Sequence, residues 1–204
     1  MSKVISNIAI SLDGYVAGPD QSLEAPIGVG GSRVHEWMFA TSTWSGEGER
    51  TVDDDAVEAI GQGGAFIMGR NMFGPGRGEW DLDWKGWWGD EPPYHAPVFV
   101  LTNHPREPLV MEGTTFTFVT DGIDSALKQA REAAGDQNVS VAGGASTIRQ
   151  FLQAGLLDEL TLHITPVIMG RGERLLDDIG DTTFEQVAVV PSKTVIHATY
   201  RVVR

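Results

Sequence analysis

Two adjacent glycines, Gly143 and Gly144, separate an apolar β-branched run, Val139 to Ala142, from a helical pattern carried by Ile148, Phe151, Leu152 and Leu156. A strand–turn–helix junction of this kind lets backbone approach a ligand closely. The first turn of its helix leaves N–H groups without internal partners. Such donors suit a phosphate, and Ala145, Ser146 and Thr147 open the helix with two hydroxyls added. No lysine follows, so the P-loop pattern is absent and the diphosphate of a dinucleotide fits better. A glycine pair that only brings helix and sheet together is the competing reading.

Further polar groups gather just beyond other strand-like runs. Arg70 follows the short buried pattern from Ala65 to Gly69, where a guanidinium could clamp a phosphate or form a surface ion pair. Thr102, Asn103 and His104 follow Val98 to Leu101, and Asp13 closes the alternating stretch from Val4 to Leu12. Asp53, Asp54 and Asp55 sit at a helix start, where carboxylates favour the positive end of the dipole. No histidine or carboxylate cluster beside them spells a metal site, and none is expected.

The elements that must position these groups alternate. A strand pattern over Val4–Leu12 leads into a loop, residues 13–32, rich in Gly and Pro, which reads either as a mobile cover over a pocket or as a surface connection. Helices are predicted over Arg33–Ala40, Thr51–Gln62 and Ile123–Ala134, with one helical turn beginning at Arg70. Strands are predicted over Ala65–Gly69, Val98–Leu101, Thr115–Val119, Val139–Ala142 and Glu159–Ile168. Phe184–Val190 and Thr194–Val203, joined by Pro191-Ser192-Lys193, read as a closing hairpin. Alternating strands and helices call for a largely parallel sheet in an α/β fold. The segment 74–97 lacks either period and holds Trp80, Trp84, Trp87 and Trp88, four of the six tryptophans; it reads as a structural cover in preference to a ligand-stacking loop.

Composition sets bounds. The chain of 204 residues carries a formal net charge of -13, so its average surface repels nucleic acid and anionic membrane, and any anion site must be local. With no cysteine there is no thiolate ligand, disulfide or cysteine nucleophile, and redox chemistry needs a borrowed cofactor. No apolar run reaches the roughly 18 residues of a membrane span, and a single cytoplasmic domain over residues 1–204 is expected, with 74–97 as an insertion.

In order along nearly the whole chain, SLDGYVA, FIMGRNMF, VFVLTNHPRE, VAGGASTIRQFL and ELTLHITPVIMGRGERL resemble the dihydrofolate reductase superfamily, and more closely its branch containing the riboflavin-pathway pyrimidine reductase domain. The resemblance implies a three-layer fold with a mixed, mostly parallel sheet of about eight strands and a C-terminal antiparallel hairpin. It implies NADPH as cofactor. Gly69, Arg70 and Asn71 would meet the adenosine side, with Arg70 on the 2′-phosphate. Thr102, Asn103 and His104 would line the adenine end. Gly143, Gly144, Ala145, Ser146 and Thr147 would hold the diphosphate, and Ala9, Val16 and Ala17 would flank the nicotinamide.

On the substrate side the resemblance makes Asp13 and His163 candidates for substrate binding or proton relay, with Tyr15, His35, Glu36 and Trp37 as further contacts. A turn cap for Asp13 and a satisfied core histidine at 163 are the competing readings. The chain departs from the bacterial folate enzymes at one place: aligned on Trp37, the helical position of their essential carboxylate holds Val34. The expected activity is therefore hydride transfer from NADPH to a small pyrimidine- or pterin-like heterocycle, outside housekeeping folate reduction. The alternative is an NADP(H)-binding regulatory protein with little turnover. A homodimer is implied.

Overall fold

The computed structural model describes residues 2–203. Its centre is a nine-stranded sheet. In chain order the strands are β1 (Val4–Ser11), β2 (Tyr15–Ala17), β3 (Ala65–Gly69), β4 (Pro97–Leu101), β5 (Leu109–Met111), β6 (Thr114–Val119), β7 (Val139–Gly143), β8 (Glu159–Thr165), β9 (Glu173–Arg174), β10 (Thr183–Pro191) and β11 (Ile196–Val203). The order across the large sheet is β10-β11-β8-β1-β7-β3-β4-β6-β5, and β2 and β9 pair separately. The pairs from β8 through β1, β7, β3 and β4 to β6 are parallel; β10–β11, β11–β8 and β5–β6 are antiparallel. The mixed, mostly parallel sheet and its closing hairpin match the expectation. β2, β5 and β9 were not expected: two or three residues long, they are too short to show a period, and β2 lies inside the segment expected as a loop.

Helices cover both faces. α5 (Gly122–Ala134) and α6 (Ala145–Gln153) lay Leu127, Ala130, Ile148 and Phe151 on Ile67, Val141 and Leu160. These helix residues recur every three or four positions, and that stripe is what drives burial. The opposite face is aromatic. Phe66, Phe73, Phe116 and Phe118 lie beneath Trp80, Trp84, Trp88 and Tyr94. The indoles of Trp80 and Trp84 donate to the carbonyls of His104, at 2.8 Å, and Phe73, at 3.0 Å. The tryptophan segment is thus a fixed cover for the β3–β4–β6 end of the sheet, as its lack of period and its four indoles suggested.

The rest of that face is closed by α3 (Val52–Ile60) and α1 (Glu36–Phe39), with α2 (Ser42–Ser45) between them and a 3-10 turn at Gly31–Val34 before them. The expected helix 33–40 is therefore broken at His35, which caps both pieces. α3 begins with a capping box made by Thr51 and Asp54. Asp54, fully buried, also accepts from the Ser42 hydroxyl and the Thr43 N–H, each at 2.7 Å. Burial alone would raise its pKa; these hydrogen bonds outweigh it and hold the carboxyl below its usual range. Asp55 pairs with Arg50 at 2.6 Å, and Asp53 turns toward the sheet. The acidic triplet thus diverges into three separate roles. α4 (Arg70–Phe73) follows β3 directly.

The loop expected to cover a pocket is braced: Gly18 N–H donates to Ile27, Val29 N–H to Pro19, and Gly28 N–H to Ala25, at 2.7–2.9 Å. A Cβ at Gly28 would lie 2.1 Å from the Gly18 carbonyl oxygen, so the two sides of the loop pack backbone on backbone.

Candidate active site

In a parallel sheet the strand C-terminal ends and the helix N-termini that follow them share one edge, and ligands bind there. β7 lies between β1 and β3, with β4 next, so the sheet brings the segments after Ser11, Gly69, Leu101 and Gly143 side by side. Gly143 has φ +131°, a conformation open to glycine and costly for other residues, and the Gly143–Gly144 peptide is cis. Gly144 is the N-cap of α6 and has no side chain to satisfy the N–H groups of Ala145 and Ser146. A Cβ at Gly144 would meet nothing within 4 Å. Gly69 packs against this turn so closely that a Cβ there would lie 2.6 Å from Thr147 Oγ1. Ser146 is exposed, while Ala145 and Thr147 are buried.

Arg70 lies with its guanidinium 3.8 Å over the Trp80 ring and donates to the Glu79 carbonyl at 3.3 Å; its Nε is buried without a partner. Asn71 lines an open cavity of about 290 Å³ with Gly18, Asp20, Arg77 and Glu173. Thr102 is buried and accepts from the His104 N–H at 3.1 Å, Asn103 is exposed, and His104 Nδ1 lies 3.4 Å from Glu79. The edge therefore gathers every residue the sequence proposed for the cofactor's phosphates and adenosine. Ala9, Val16 and Ala17 are buried beside it.

The substrate-side candidates divide. Asp13 Oδ1 accepts from the Ser11 hydroxyl at 2.7 Å, and its carboxylate takes the N–H groups of Met169 and Gly170 at 3.0 and 2.7 Å. The Met169 N–H is the main reason its pKa falls to about 2, with Ser11 and Gly170 adding to the effect against some desolvation. An anionic acceptor so occupied anchors the turn after β8 and has no proton to give near neutral pH. Tyr15 packs under Arg174, 5.3 Å from its ring centroid, and lines a second cavity of about 550 Å³ with Asp13, Leu176 and Asp177. Glu36 is exposed.

His35, Trp37 and His163 lie together on the other side of β1. His163 stands beside Ala9 in the β1–β8 register and beside His197 in the β8–β11 register. It is 1% exposed, and the Trp37 ring lies 5.0 Å from it and 5.2 Å from the His197 ring. His163 Nδ1 is 2.8 Å from His197 Nδ1, and His197 Nε2 is 2.9 Å from Asp53 Oδ1. Three polar atoms here are buried without a partner: His163 Nε2, Trp37 Nε1 and His35 Nδ1. Orphans of this kind are uncommon and call for an explanation. Asp53 and His197 were missed by the sequence reading. The available signal was a histidine in each of two late strands, but only their antiparallel register makes the two meet.

Burial drives the His163 pKa down to about 3, with the charges of His197 and His35 adding to it; burial also lowers His35. His163 is therefore neutral in the folded chain where the unfolded chain, with an ordinary value of 6.5, takes up protons, and the lowered His35 acts in the same direction. The unfolded state then binds more protons as pH falls, so stability is lost from about pH 6.5 downward toward about pH 3. The depressed carboxylates Asp13 and Asp54 add their loss only near and below their ordinary value of 3.8. Urea midpoints should decline between pH 7 and pH 4.5, with a shallower slope in His163→Leu than in wild type. An unchanged slope in the variant would mean His163 is not buried neutral.

This sheet order, its helices on both faces and its glycine-lined strand edge define a dihydrofolate reductase-like α/β protein. The RibD C-terminal domain model matches residues 2–198, and the chain belongs to that family. The uncharacterized protein YyaP of Bacillus subtilis is 36% identical over 189 residues, covering 87% of this chain and 81% of YyaP. The uncharacterized protein YwjB of the same organism is 22% identical over 191 residues, covering 89% and 86%. Among solved structures, a putative riboflavin biosynthesis protein from Shewanella sp. PV-4 superposes with a TM-score of 0.66 at 24% identity, covering 99% of both chains. Enterococcus faecalis dihydrofolate reductase, solved with NADP(H), gives 0.58 at 14% identity, covering 98% of this chain and 96% of its own. At these identities the structural likeness concerns the fold.

Proposed function

We propose that the chain is an NADPH-dependent reductase of a small heterocycle, pyrimidine- or pterin-like. The observation that carries this reading is the placement, on either side of β1, of an open glycine cradle and of the His35–Trp37–His163 cluster with its three buried, unpartnered polar atoms. Family membership and the NADP(H) complex of the structurally similar enterococcal reductase support it.

The residues present fit a dinucleotide. Open space at Gly144 and the free N–H groups at the start of α6 suit a diphosphate, and Arg70, with its plane fixed by Trp80, offers the charge for a 2′-phosphate. Bound there, reduced nicotinamide supplies a hydride. The protein's own part is to orient the partners, exclude water and hold a proton. Asp13 serves this by fixing the 169–170 turn. His163 and Trp37 offer a nitrogen and an indole N–H to a heterocycle, and because both atoms are out of solvent contact, the short cover of residues 31–39 moves when substrate enters. Val34, fully buried in that cover, puts no carboxylate beside the substrate, so the proton must come from elsewhere.

The test is transfer of label. NADPH carrying deuterium at C4 of the nicotinamide, incubated with oxidised pterins and pyrimidines, should give a product bearing carbon-bound deuterium. Consumption of NADPH without label in any organic product would contradict the reading, as would binding with no consumption across the panel; the latter would favour a regulatory role.

A further inference from the structure

Asp53, His197 and His163 form an unbroken hydrogen-bonded chain from α3 through β11 to β8, with spacings of 2.9 and 2.8 Å. Exposure falls along it, from 14% for the Asp53 side chain to 7% for His197 and 1% for His163. The outer end is also held by the Thr194 hydroxyl, which donates to Asp53 Oδ2 at 3.2 Å. The inner end is the unpartnered Nε2 of His163. Among the described residues, the titratable groups facing His163 are His197 from β11, Asp53 from α3 and His35 from the turn before α1, while β1 presents Ala9.

The chemistry of such a chain has only two consistent states. A carboxylate only accepts, so His197 donates its Nε2–H to Asp53. When His197 is neutral its Nδ1 is a lone pair, His163 must donate Nδ1–H to it, and His163 Nε2 is left as an acceptor. When one proton is added, His197 carries N–H on both nitrogens and donates Nδ1–H to His163, whose hydrogen then sits on Nε2. His163 is neutral in both states, in keeping with its burial. The charge rests on His197, beside the Asp53 carboxylate.

We propose that Asp53, His197 and His163 are a proton relay, in which Asp53 and His197 are positioning residues: a proton entering at His163 Nε2 sends the Nδ1 hydrogen of His163 outward to His197, where the Asp53 carboxylate holds the charge, and the proton stays available as Nε2–H of His163. The proposal rests on the reductase reading for its use. With reduced nicotinamide bound as the hydride donor, the π pair of a C=N or C=O would pass to its heteroatom as the carbon is reduced. The heteroatom takes the proton from His163 Nε2. His163 Nδ1 takes the proton of His197 Nδ1–H, which leaves His197 neutral and still donating to Asp53. The π bond is lost, a C–H and an N–H or O–H bond form, and the chain is reloaded at His163 Nε2, its one open lone pair, once product has left.

The relay is tested first without cofactor or substrate, by nitrogen-15 NMR of the histidine rings. Wild type at alkaline pH should show His163 protonated on Nδ1 and His197 on Nε2, with the His163 hydrogen moving to Nε2 as His197 gains its proton on acidification. In Asp53→Asn, which keeps the shape, His197 loses its carboxylate partner and the transition should move to lower pH. His197→Gln serves as the second variant, and should abolish the switch while His163 stays folded in place. A His163 hydrogen on Nε2 at all pH values, or an Asp53→Asn spectrum and transition identical to wild type, would overturn the proposal. In turnover, Asp53→Asn should lower kcat by about tenfold or more, with KM and NADPH affinity little changed. The limb of kcat that falls with rising pH should also shift to lower pH. Unchanged kcat and profile would overturn the relay as the proton source. If no substrate of the panel is reduced, the reductase reading fails, and the NMR result alone decides whether the switch exists.

Discussion

Gly144→Ala is expected to leave the fold intact and to weaken NADPH binding by about tenfold or more, a loss of about 1.4 kcal/mol or more. Gly144 has φ −72° and ψ −163°, which any residue adopts, and a methyl group there meets nothing within 4 Å. Stability should therefore hold, with a thermal midpoint within a degree or two of wild type. The same open space is where a diphosphate must lie to reach the N–H groups of Ala145 and Ser146, so the methyl group stands between ligand and donors. Gly143→Ala should behave differently. At φ +131° alanine is strained by about 1–3 kcal/mol, and both stability and binding should suffer. The contrast matters because a turn that uses glycine only for packing predicts the reverse for Gly144: no effect on the nucleotide, measured by fluorescence titration beside thermal melts.

His163→Leu is expected to lower turnover by about two to four orders of magnitude, the usual range for a positioned general acid, with NADPH affinity within about twofold of wild type. The ring is fixed on three sides, by Trp37, by His197 and by the strand register opposite Ala9, so no neighbouring group can take its place. His35 is close enough to affect its charge, but it belongs to the cover and not to the Asp53 chain. Single-turnover rates with saturating NADPH separate this from a binding defect. A variant that turned over at the wild-type rate would return His163 to a packing role and leave its buried Nε2 unexplained.

How far the chain could be read from its residues follows from the range of the interactions involved. Strands β3, β4, β6 and β7 and helices α5 and α6 were legible because their apolar spacing is local and their ends are marked by glycine or polar runs. The GG junction was legible for the same reason. The helix expected over 33–40 splits at His35 because the chain must turn the Trp37 ring inward onto two histidines, a demand set by residues more than a hundred positions away. Asp53 looked like one of three helix-start carboxylates. Only the position of β11 beside β8 distinguishes it from Asp54, which caps, and Asp55, which pairs with Arg50. Asp13 was a candidate proton carrier by its place in SLDG, and its partners Met169 and Gly170 lie at the far end of β8. Glu36 was a candidate only by the resemblance, as a carboxylate near the position that Val34 holds, and it faces solvent.

The most direct measurement is a titration of the purified protein with NADPH and NADH, on wild type and on Arg70→Ala. The cradle and the Arg70 guanidinium predict saturable binding of both, tighter for NADPH, with the preference reduced or lost in Arg70→Ala while NADH affinity stays the same. Failure of both nucleotides to bind at physiological concentrations would contradict the account and leave Gly143 and Gly144 as a packing turn.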